Sequence, residues 1–147
     1  MEQRVSLITL GVSDLAASAA FYERLGWRRV ESPGEVAAFD CIGMSVALYE
    51  RAKLAADLGI GAMTLGTGLA TYAYNVRTEP EVAEVLAAAR AAGGRVVKDA
   101  QPTDWGGHHG FFADPDGHLW EIAYNPFSPL REDGAFRWNG YGAPNAG

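Results

Sequence analysis

Among the side chains of this 147-residue chain that can do acid–base chemistry, Glu121 has the most informative position. It lies in a strand predicted for residues 118–124, where successive side chains point to opposite faces of a sheet. A carboxylate beside a partly apolar cavity is a candidate general base near neutral pH, or an anchor for a cationic ligand. The simpler alternative is a carboxylate that a neighbouring arginine or hydroxyl satisfies.

The three histidines are the other candidates for proton transfer or metal binding. His108 and His109 are neighbours in a strand predicted for residues 108–113, so they point to opposite faces. Alternation does not say which of the two faces Glu121. His118 comes directly after a tight turn, and we expect it to support that turn. Because no recognised metal-binding spacing links these residues, polar strand or turn positions are the simpler interpretation.

Four further side chains are candidates for binding a ligand. Tyr49, Thr71 and Asn75 fall on the same predicted face as Glu121, where each can orient a polar ligand or bond a neighbour. Trp105 lies in a loop beside two glycines, so it can cover a pocket, stack on a flat ligand, or simply anchor the loop.

The elements that must position these residues have the order β-α-β-β-β twice, which predicts an internal repeat. The first helix is capped at its start by Ser13 or Asp14 and is followed at its end by Gly26. The second helix starts with the spacing of a capping box, Thr78 and Glu81. Turns are predicted at Pro33-Gly34, Ile42-Gly43 and Asp114-Pro115-Asp116-Gly117. The strands are predicted at 7–12, 27–31, 36–41 and 44–50, then 71–76, 95–98, 108–113 and 118–124; the helices are predicted at 14–25 and 79–92.

These elements divide the chain into two modules, a linker and a tail. The first βαβββ module takes residues 1–50 and the second takes residues 69–125. The linker, residues 51–68, starts with a short helical run and becomes glycine-rich. The tail, residues 126–147, carries aromatic residues that are expected to cover a sheet edge, close a cavity or contact a second copy.

Alternation along the strands predicts a sheet with two different faces. One face is large and mostly apolar, and suits the two helices; it carries Ile8, Leu10, Val12, Val46, Leu48, Tyr72, Tyr74, Val76, Trp120 and Ile122. The opposite face is small or polar; it carries Leu7, Thr9, Gly11, Ser45, Ala47, Tyr49, Thr71, Ala73, Asn75, Leu119, Glu121 and Ala123. Since wet faces usually carry more charge, we interpret the opposite face as the base of a cavity rather than as ordinary surface.

Composition excludes several classes of protein. The net charge of −6 and the lack of any lysine or arginine cluster argue against nucleic-acid binding. No apolar run approaches the ~20 residues of a membrane span, and the N-terminus lacks the pattern of a signal peptide. The single cysteine, Cys41, excludes an internal disulfide and fits a cytoplasmic location; a small buried residue is its expected role.

Two sets of motifs resemble the vicinal oxygen chelate superfamily, which includes glyoxalase I, bleomycin-resistance proteins and extradiol dioxygenases. The first set is Gly11-Val12-Ser13-Asp14-Leu15, then Phe21-Tyr22 and Leu25-Gly26-Trp27. The second is Trp105-Gly106-Gly107, then the run from Phe111 to Glu121. The resemblance covers roughly residues 5–125 and implies an α+β fold of paired βαβββ modules, which form a curved mixed sheet around a U-shaped cavity. It also implies a homodimer.

The same resemblance places metal ligands at four positions, which here are Leu7, Ala47, Thr71 and Glu121. Only Glu121 matches, and one carboxylate does not hold a divalent ion, which needs three or more suitable donors. We therefore expect a cavity without the usual metal centre and without another cofactor.

The sequence leaves four hypotheses open. The chain binds a small organic molecule, with Glu121 as the anchor; or it is a metal-independent isomerase or lyase that uses Glu121 as its base. A third hypothesis is a metal-dependent glyoxalase-like lyase with ligands from Glu121 and either His108 or His109. The fourth is an interaction module built on a former enzyme scaffold.

Overall fold

The computed structural model describes residues 5–32, 35–61, 66, 70–138 and 140–141. The predicted turn at Pro33-Gly34, most of the glycine-rich end of the linker and the end of the tail lie outside these residues. The elements are β1 Leu7–Val12, α1 Leu15–Arg24, β2 Arg29–Val30, β3 Val36–Cys41, β4 Met44–Glu50, α2 Arg51–Asp57, β5 Thr71–Val76, α3 Glu79–Ala92, β6 Arg95–Pro102, β7 His108–Ala113 and β8 Leu119–Tyr124. None of these helices has the length and hydropathy needed to cross a bilayer.

The strands form two four-stranded mixed sheets with the same topology, in the orders β1-β4-β3-β2 and β5-β8-β7-β6. In each sheet the first strand pairs in parallel with the last, and the remaining pairs are antiparallel. This arrangement confirms the predicted α+β fold of paired βαβββ modules. β2 has only two residues, whereas β6 extends to Pro102 and contains two register shifts.

Local sequence explains where α1 and α3 begin and end. Asp14 caps α1, because its carboxylate accepts a hydrogen bond of 2.9 Å from the Ala17 N–H. In the first turn of α3, the Glu81 carboxylate accepts hydrogen bonds from the Arg77 N–H and the Thr78 hydroxyl, which lower the pKa of Glu81. Among the described residues, the Thr78 side chain accepts no capping hydrogen bond, so the predicted capping box is not complete. Gly93 ends α3 with a φ of 108°, a left-handed conformation that favours glycine.

The helix faces of both sheets contribute to one apolar core. Leu10, Val12 and Leu48 of the first module belong to the same buried cluster as Val82 and Ile122 of the second module. Tyr22 of α1 lies at the junction, with its ring centroid 5.9 Å from that of Phe39 and 6.0 Å from that of Trp120. The two modules therefore stabilise each other through apolar burial.

A polar network also joins the modules, at the turn between β7 and β8. The fully buried Asp114 carboxylate accepts hydrogen bonds from the Tyr22 hydroxyl at 2.7 Å and from the His118 N–H at 2.8 Å. Burial and the adjacent Asp114 charge raise the pKa of Tyr22, which stays a donor. Next to it, Asp116 accepts hydrogen bonds from the Ser13 N–H and from the Ser13 and Ser18 hydroxyls. The turn of the second module is thus bound to α1 of the first.

The linker helix α2 packs on the opposite face of the first sheet. A side chain added at Gly11 would lie 3.3 Å from the Leu54 Cδ2 atom, so helix and strand are in close contact. Tyr49 lies beside Asp57, and burial together with that carboxylate raises the pKa of Tyr49. Ala47 is only 3% exposed. Near Gly11 and Tyr49, this face is covered by α2 instead of opening into a cavity.

Candidate functional site

A row of three ionisable side chains crosses the opposite face of the second sheet. Lys98 of β6, His109 of β7 and Glu121 of β8 lie on three adjacent strands. The Lys98 Nζ atom is 3.0 Å from His109 Nε2, and His109 Nδ1 is 3.1 Å from Glu121 Oε1. The histidine and glutamate side chains are 18% and 26% exposed, so the row is partly shielded from solvent.

The chemistry of the partners indicates how protons are arranged along this row. A lysine ammonium group only donates hydrogen bonds, so His109 Nε2 accepts from Lys98. The Nδ1–H of His109 then donates to the Glu121 carboxylate. Phe111 supports both basic groups: its ring centroid is 5.8 Å from the Lys98 Nζ atom and 5.0 Å from the centroid of the His109 ring.

The structure brings together Glu121 and His109, and separates His108 from them. The His108 Nδ1 atom lies 3.4 Å from the Glu79 carboxylate of α3, on the other side of the sheet. The choice of His109 results from the hairpin register, because Phe111 pairs with Glu121 and residues two positions apart share a face. Sequence reasoning missed Lys98, which lies between the two register shifts of β6, where simple alternation fails.

A cavity of about 1570 Å³ opens beside Glu121. Thr71, Asn75 and Trp105 also line it, whereas Tyr49 lies away from it, next to α2. The first module contributes the β3–β4 hairpin around Ile42, together with side chains from its helix face. The cavity therefore extends from the opposite face of the second sheet, past the edge strand β5, to the first module.

The tail forms one wall of the cavity. Phe127 lies against Gly106, with its ring carbon 3.5 Å from the position of an added Cβ atom. Further along, the Arg77 guanidinium donates hydrogen bonds of 3.1 and 2.7 Å to the carbonyl groups of Arg131 and Glu132. Gly134 then approaches Ile42 of the first module. The tail is thus bound at the end of β5 and reaches across to the β3–β4 hairpin.

Trp105 is positioned by the glycine two residues after it. An added Cβ atom at Gly107 would lie 1.9 Å from the Trp105 ring, so the indole occupies the space that any side chain there would need. Trp105 is 45% exposed and lines the cavity. The absence of a side chain at Gly107 therefore lets this ring lie across its own loop beside the cavity.

The donor set beside Glu121 does not fit a divalent metal ion. His109 and Glu121 are two candidate ligands, but the third group in the row is the ammonium of Lys98, which repels a cation and contacts His109 Nε2. Within the described ranges, no group of three or more His, Cys, Asp or Glu residues is arranged to hold a metal. Leu7 and Ala47 have no donor atoms in their side chains.

Comparison with solved structures gives relatives of the same size. A glyoxalase-related enzyme from Fulvimarina pelagi is 39% identical, with a TM-score of 0.86, and the match covers 95% of this chain and 100% of that one. Hypothetical protein SA1046 from S. aureus is 26% identical, with a TM-score of 0.74 and coverage of 85% and 95%. Lactoylglutathione lyase from Agrobacterium tumefaciens shares the fold at 22% identity, with a TM-score of 0.66 and coverage of 85% and 96%.

No curated protein sequence matches the chain. A family model does match, over residues 4–122, which span the first βαβββ module, the second as far as the middle of β8, and the Glu121 row. The chain belongs to the glyoxalase/bleomycin resistance protein/dioxygenase superfamily.

Proposed function

We propose that this chain binds a small organic molecule in the cavity, without the metal centre usual for its superfamily, and that Glu121 anchors the ligand. The observation that carries the proposal is the environment of the Glu121 carboxylate. One of its oxygens, Oε1, is held by His109, and the carboxylate lines a cavity with mostly apolar walls. From the described residues, no hydrogen bond reaches its other oxygen, Oε2.

An ammonium, amidine or other donor group on the ligand is the natural partner for that oxygen. Charge-assisted hydrogen bonds to a carboxylate are shorter and stronger than neutral ones. Because His109 already fixes the orientation of Glu121, little side-chain entropy is lost when such a ligand binds. The aromatic walls supply apolar contact area, and Thr71 and Asn75 offer further polar contacts.

Ligand-dependent thermal stabilisation tests this proposal, since a ligand that binds only the folded state raises the Tm. The change is Glu121→Gln, which keeps the size of the side chain and an oxygen for the His109 N–H. We expect the unliganded Tm to stay near that of the wild type and the Tm shift with cationic ligands to disappear. Glu79→Gln is the matched control, because Glu79 contacts His108 outside the cavity. If cationic ligands raise the Tm of Glu121→Gln as much as that of the wild type, the role of the carboxylate is refuted.

A second candidate function uses the same carboxylate as a general base for an isomerase or lyase. The contact with His109 favours it, because an oriented carboxylate is what abstraction of a proton next to a carbonyl requires. Catalysed exchange of such a proton for deuterium by the wild type, and its loss in Glu121→Gln, would support catalysis. Equal exchange in both proteins would exclude Glu121 as the base.

A metal-dependent lyase is the third candidate, and the adjacency of His109 and Glu121 is the observation in its favour. Elemental analysis of protein purified without a tag tests it. Equimolar zinc, nickel, iron or manganese would support a metal centre, and trace amounts would refute it. The Lys98 ammonium leads us to expect trace amounts.

We also propose that the chain forms a homodimer and acts in the cytoplasm. β1 and β5 are edge strands of the two described sheets, and edge strands pair readily with a second chain. Light scattering coupled to size-exclusion chromatography gives the mass in solution, and a monomer at micromolar concentration would refute the dimer. Cell fractionation tests the location.

A further inference from the structure

The chain has only two lysines, and they lie in different electrostatic surroundings. Lys53 of α2 donates to the Glu35 carboxylate and lies 3.3 Å from the Glu50 carboxylate. The hydrogen bond to Glu35 raises the pKa of Lys53, so this lysine stays an ammonium group. Lys98 of β6 instead has a base beside it, because its Nζ atom lies 3.0 Å from His109 Nε2.

Lys98, His109 and Glu121 have the arrangement by which enzymes activate a nucleophile. In such an arrangement a base lies within about 2.6–3.2 Å of the nucleophile, and a third group orients the base. Both contacts here fall in that range, at 3.0 Å from Lys98 Nζ to His109 Nε2 and 3.1 Å from His109 Nδ1 to Glu121 Oε1. The carboxylate orients the imidazole, and it stabilises the imidazolium that forms when His109 accepts a proton.

The irregularity in β6 aligns the amine with the histidine. Lys98 pairs with Phe111 and Gln101 pairs with His109, so β6 has one residue more than β7 between these two pairs. The Phe111 ring centroid lies 5.8 Å from the Lys98 Nζ atom, and the lysine side chain is partly buried. The amine is therefore held against His109 instead of extending into solvent.

The geometry also leaves the neutral form of this amine free to react. The resting lysine is an ammonium group, which has no lone pair. After one proton is lost to solvent, the amine has two N–H bonds and one lone pair. One N–H still donates to His109 Nε2, and the lone pair remains available for attack on an electrophile.

We infer that Lys98 is a nucleophile that forms an imine with an aldehyde, with His109 as its proton-transfer partner and Glu121 as the positioning residue. An amine and an aldehyde condense by proton transfer alone, which is the chemistry that this row supplies. The inference goes beyond the proposed function. It uses the Glu121 oxygen that faces His109, whereas the proposed anchoring of a ligand uses the other oxygen.

The reaction proceeds in two steps. First, the Lys98 lone pair forms the C–N bond while the carbonyl electron pair moves onto oxygen. His109 Nε2 accepts the proton that the nitrogen loses and returns it to that oxygen, which gives a carbinolamine. Second, the nitrogen lone pair expels the hydroxyl group, which takes a proton from solvent through His109 and leaves as water. The product is the protonated imine of Lys98.

Reductive trapping with benzaldehyde and sodium cyanoborohydride tests the inference, because the hydride converts each imine into a stable benzylamine. Mass spectrometry of the peptides measures the adducts at Lys98 and Lys53 in the same sample. At neutral pH we expect the adduct to form at least about tenfold faster at Lys98, since acid–base assistance contributes ~10²–10⁴-fold. In His109→Gln, which removes the base but keeps hydrogen-bonding groups, we expect the rate at Lys98 to fall to about that at Lys53.

Three further variants serve as controls. Lys98→Arg keeps the positive charge and should abolish the adduct at this position. Lys53→Arg is the matched control, because Lys53 lies in α2, and it should leave the rate at Lys98 unchanged. Glu121→Gln is a second test that leaves His109 in place, and it should lower the rate at Lys98 because the imidazolium loses its carboxylate partner. An unchanged rate at Lys53 and unchanged near-UV circular dichroism show that a variant is folded.

The outcomes separate this inference from the proposed function. Equal adduct formation at Lys98 and Lys53 in the wild type overturns the inference, as does a rate at Lys98 that neither His109→Gln nor Glu121→Gln lowers. A preferred adduct at Lys98 in a protein whose Tm no cationic ligand raises would support the imine site and refute the anchoring of a ligand by Glu121. A Tm shift that depends on Glu121, without an adduct at Lys98, would refute only the imine site.

Discussion

The two modules share a topology but differ in the segment that comes after the last strand. Ala47 and Glu121 occupy equivalent places, since Ala47 pairs with Thr9 of β1 and Glu121 pairs with Ala73 of β5. After β4 the chain continues directly into α2, which packs on the opposite face of its own sheet. After β8 the chain instead forms the aromatic tail, which borders the cavity. The segment after the module, rather than the module itself, decides whether this face is covered or available.

The hairpin turns differ in the same way. The β7–β8 turn is bound to α1 through Asp114 and Asp116, whereas the β3–β4 turn at Ile42-Gly43 borders the cavity. One turn is used to hold the modules together, and the equivalent turn is used as part of a wall. A repeated fold therefore allows the two copies of each element to be specialised separately.

The largest effect is expected for the buried turn. Asp114→Ala removes the acceptor shared by Tyr22 and His118 and leaves buried donors unpaired, so we expect a loss of about 3–5 kcal/mol in the free energy of unfolding. Urea denaturation measures it. Asp99→Ala, at a carboxylate 91% exposed, is the control and should change stability little. Similar stability of Asp114→Ala and the wild type would contradict the role of this turn in holding the modules together.

The next effect tests whether the equivalent positions are interchangeable. Ala47→Glu places the acid of the second module in the first, where the side chain is buried, and we expect a loss of about 3 kcal/mol or more at neutral pH. Because burial raises the pKa of such a carboxyl, the deficit should shrink as the pH falls. Thr9→Glu, at the exposed partner of Ala47, is the control. A harmless Ala47→Glu would mean that α2 leaves this face open.

The smallest effect concerns acid stability. Burial raises the pKa of Asp116, but hydrogen bonds from Ser13 and Ser18 outweigh it and hold the pKa below its usual value. A carboxyl with a lowered pKa in the folded state adds stability above pH ~3.9, and that stability is lost as the pH falls through the folded-state value. Asp116→Asn should therefore have a lower free energy of unfolding than the wild type at pH 7. Below pH ~4, its free energy of unfolding should fall less steeply with decreasing pH than that of the wild type. If the free energy of unfolding of the two proteins falls equally steeply in acid, this role of Asp116 is contradicted.

Much of the fold could be predicted because its turns have strong local signals. Asp114-Pro115-Asp116-Gly117 specifies a tight hairpin, and β7 begins and ends as the pattern predicts. That turn also fixes the pairing of Phe111 with Glu121, which is enough to place His109 on the same face. Applied to the sequence, the same register could have distinguished His109 from His108.

Other features depend on tertiary packing and had no local signal. Lys98 reaches His109 because β6 shifts register twice, and the size of a bulge cannot be read from alternation. The helical start of the linker was predicted, but its packing on the sheet depends on the approach of Leu54 to Gly11, which is distant from it in sequence. The position of the aromatic tail depends on hydrogen bonds from Arg77 to backbone carbonyls, which any sequence provides.

The apolar core shared by the two modules couples them during folding and unfolding. Because Tyr22 of α1 packs between rings from both halves, neither half retains a closed interior when the other is lost. Thermal unfolding should accordingly be a single cooperative transition, and a destabilising substitution in either module should lower the same Tm.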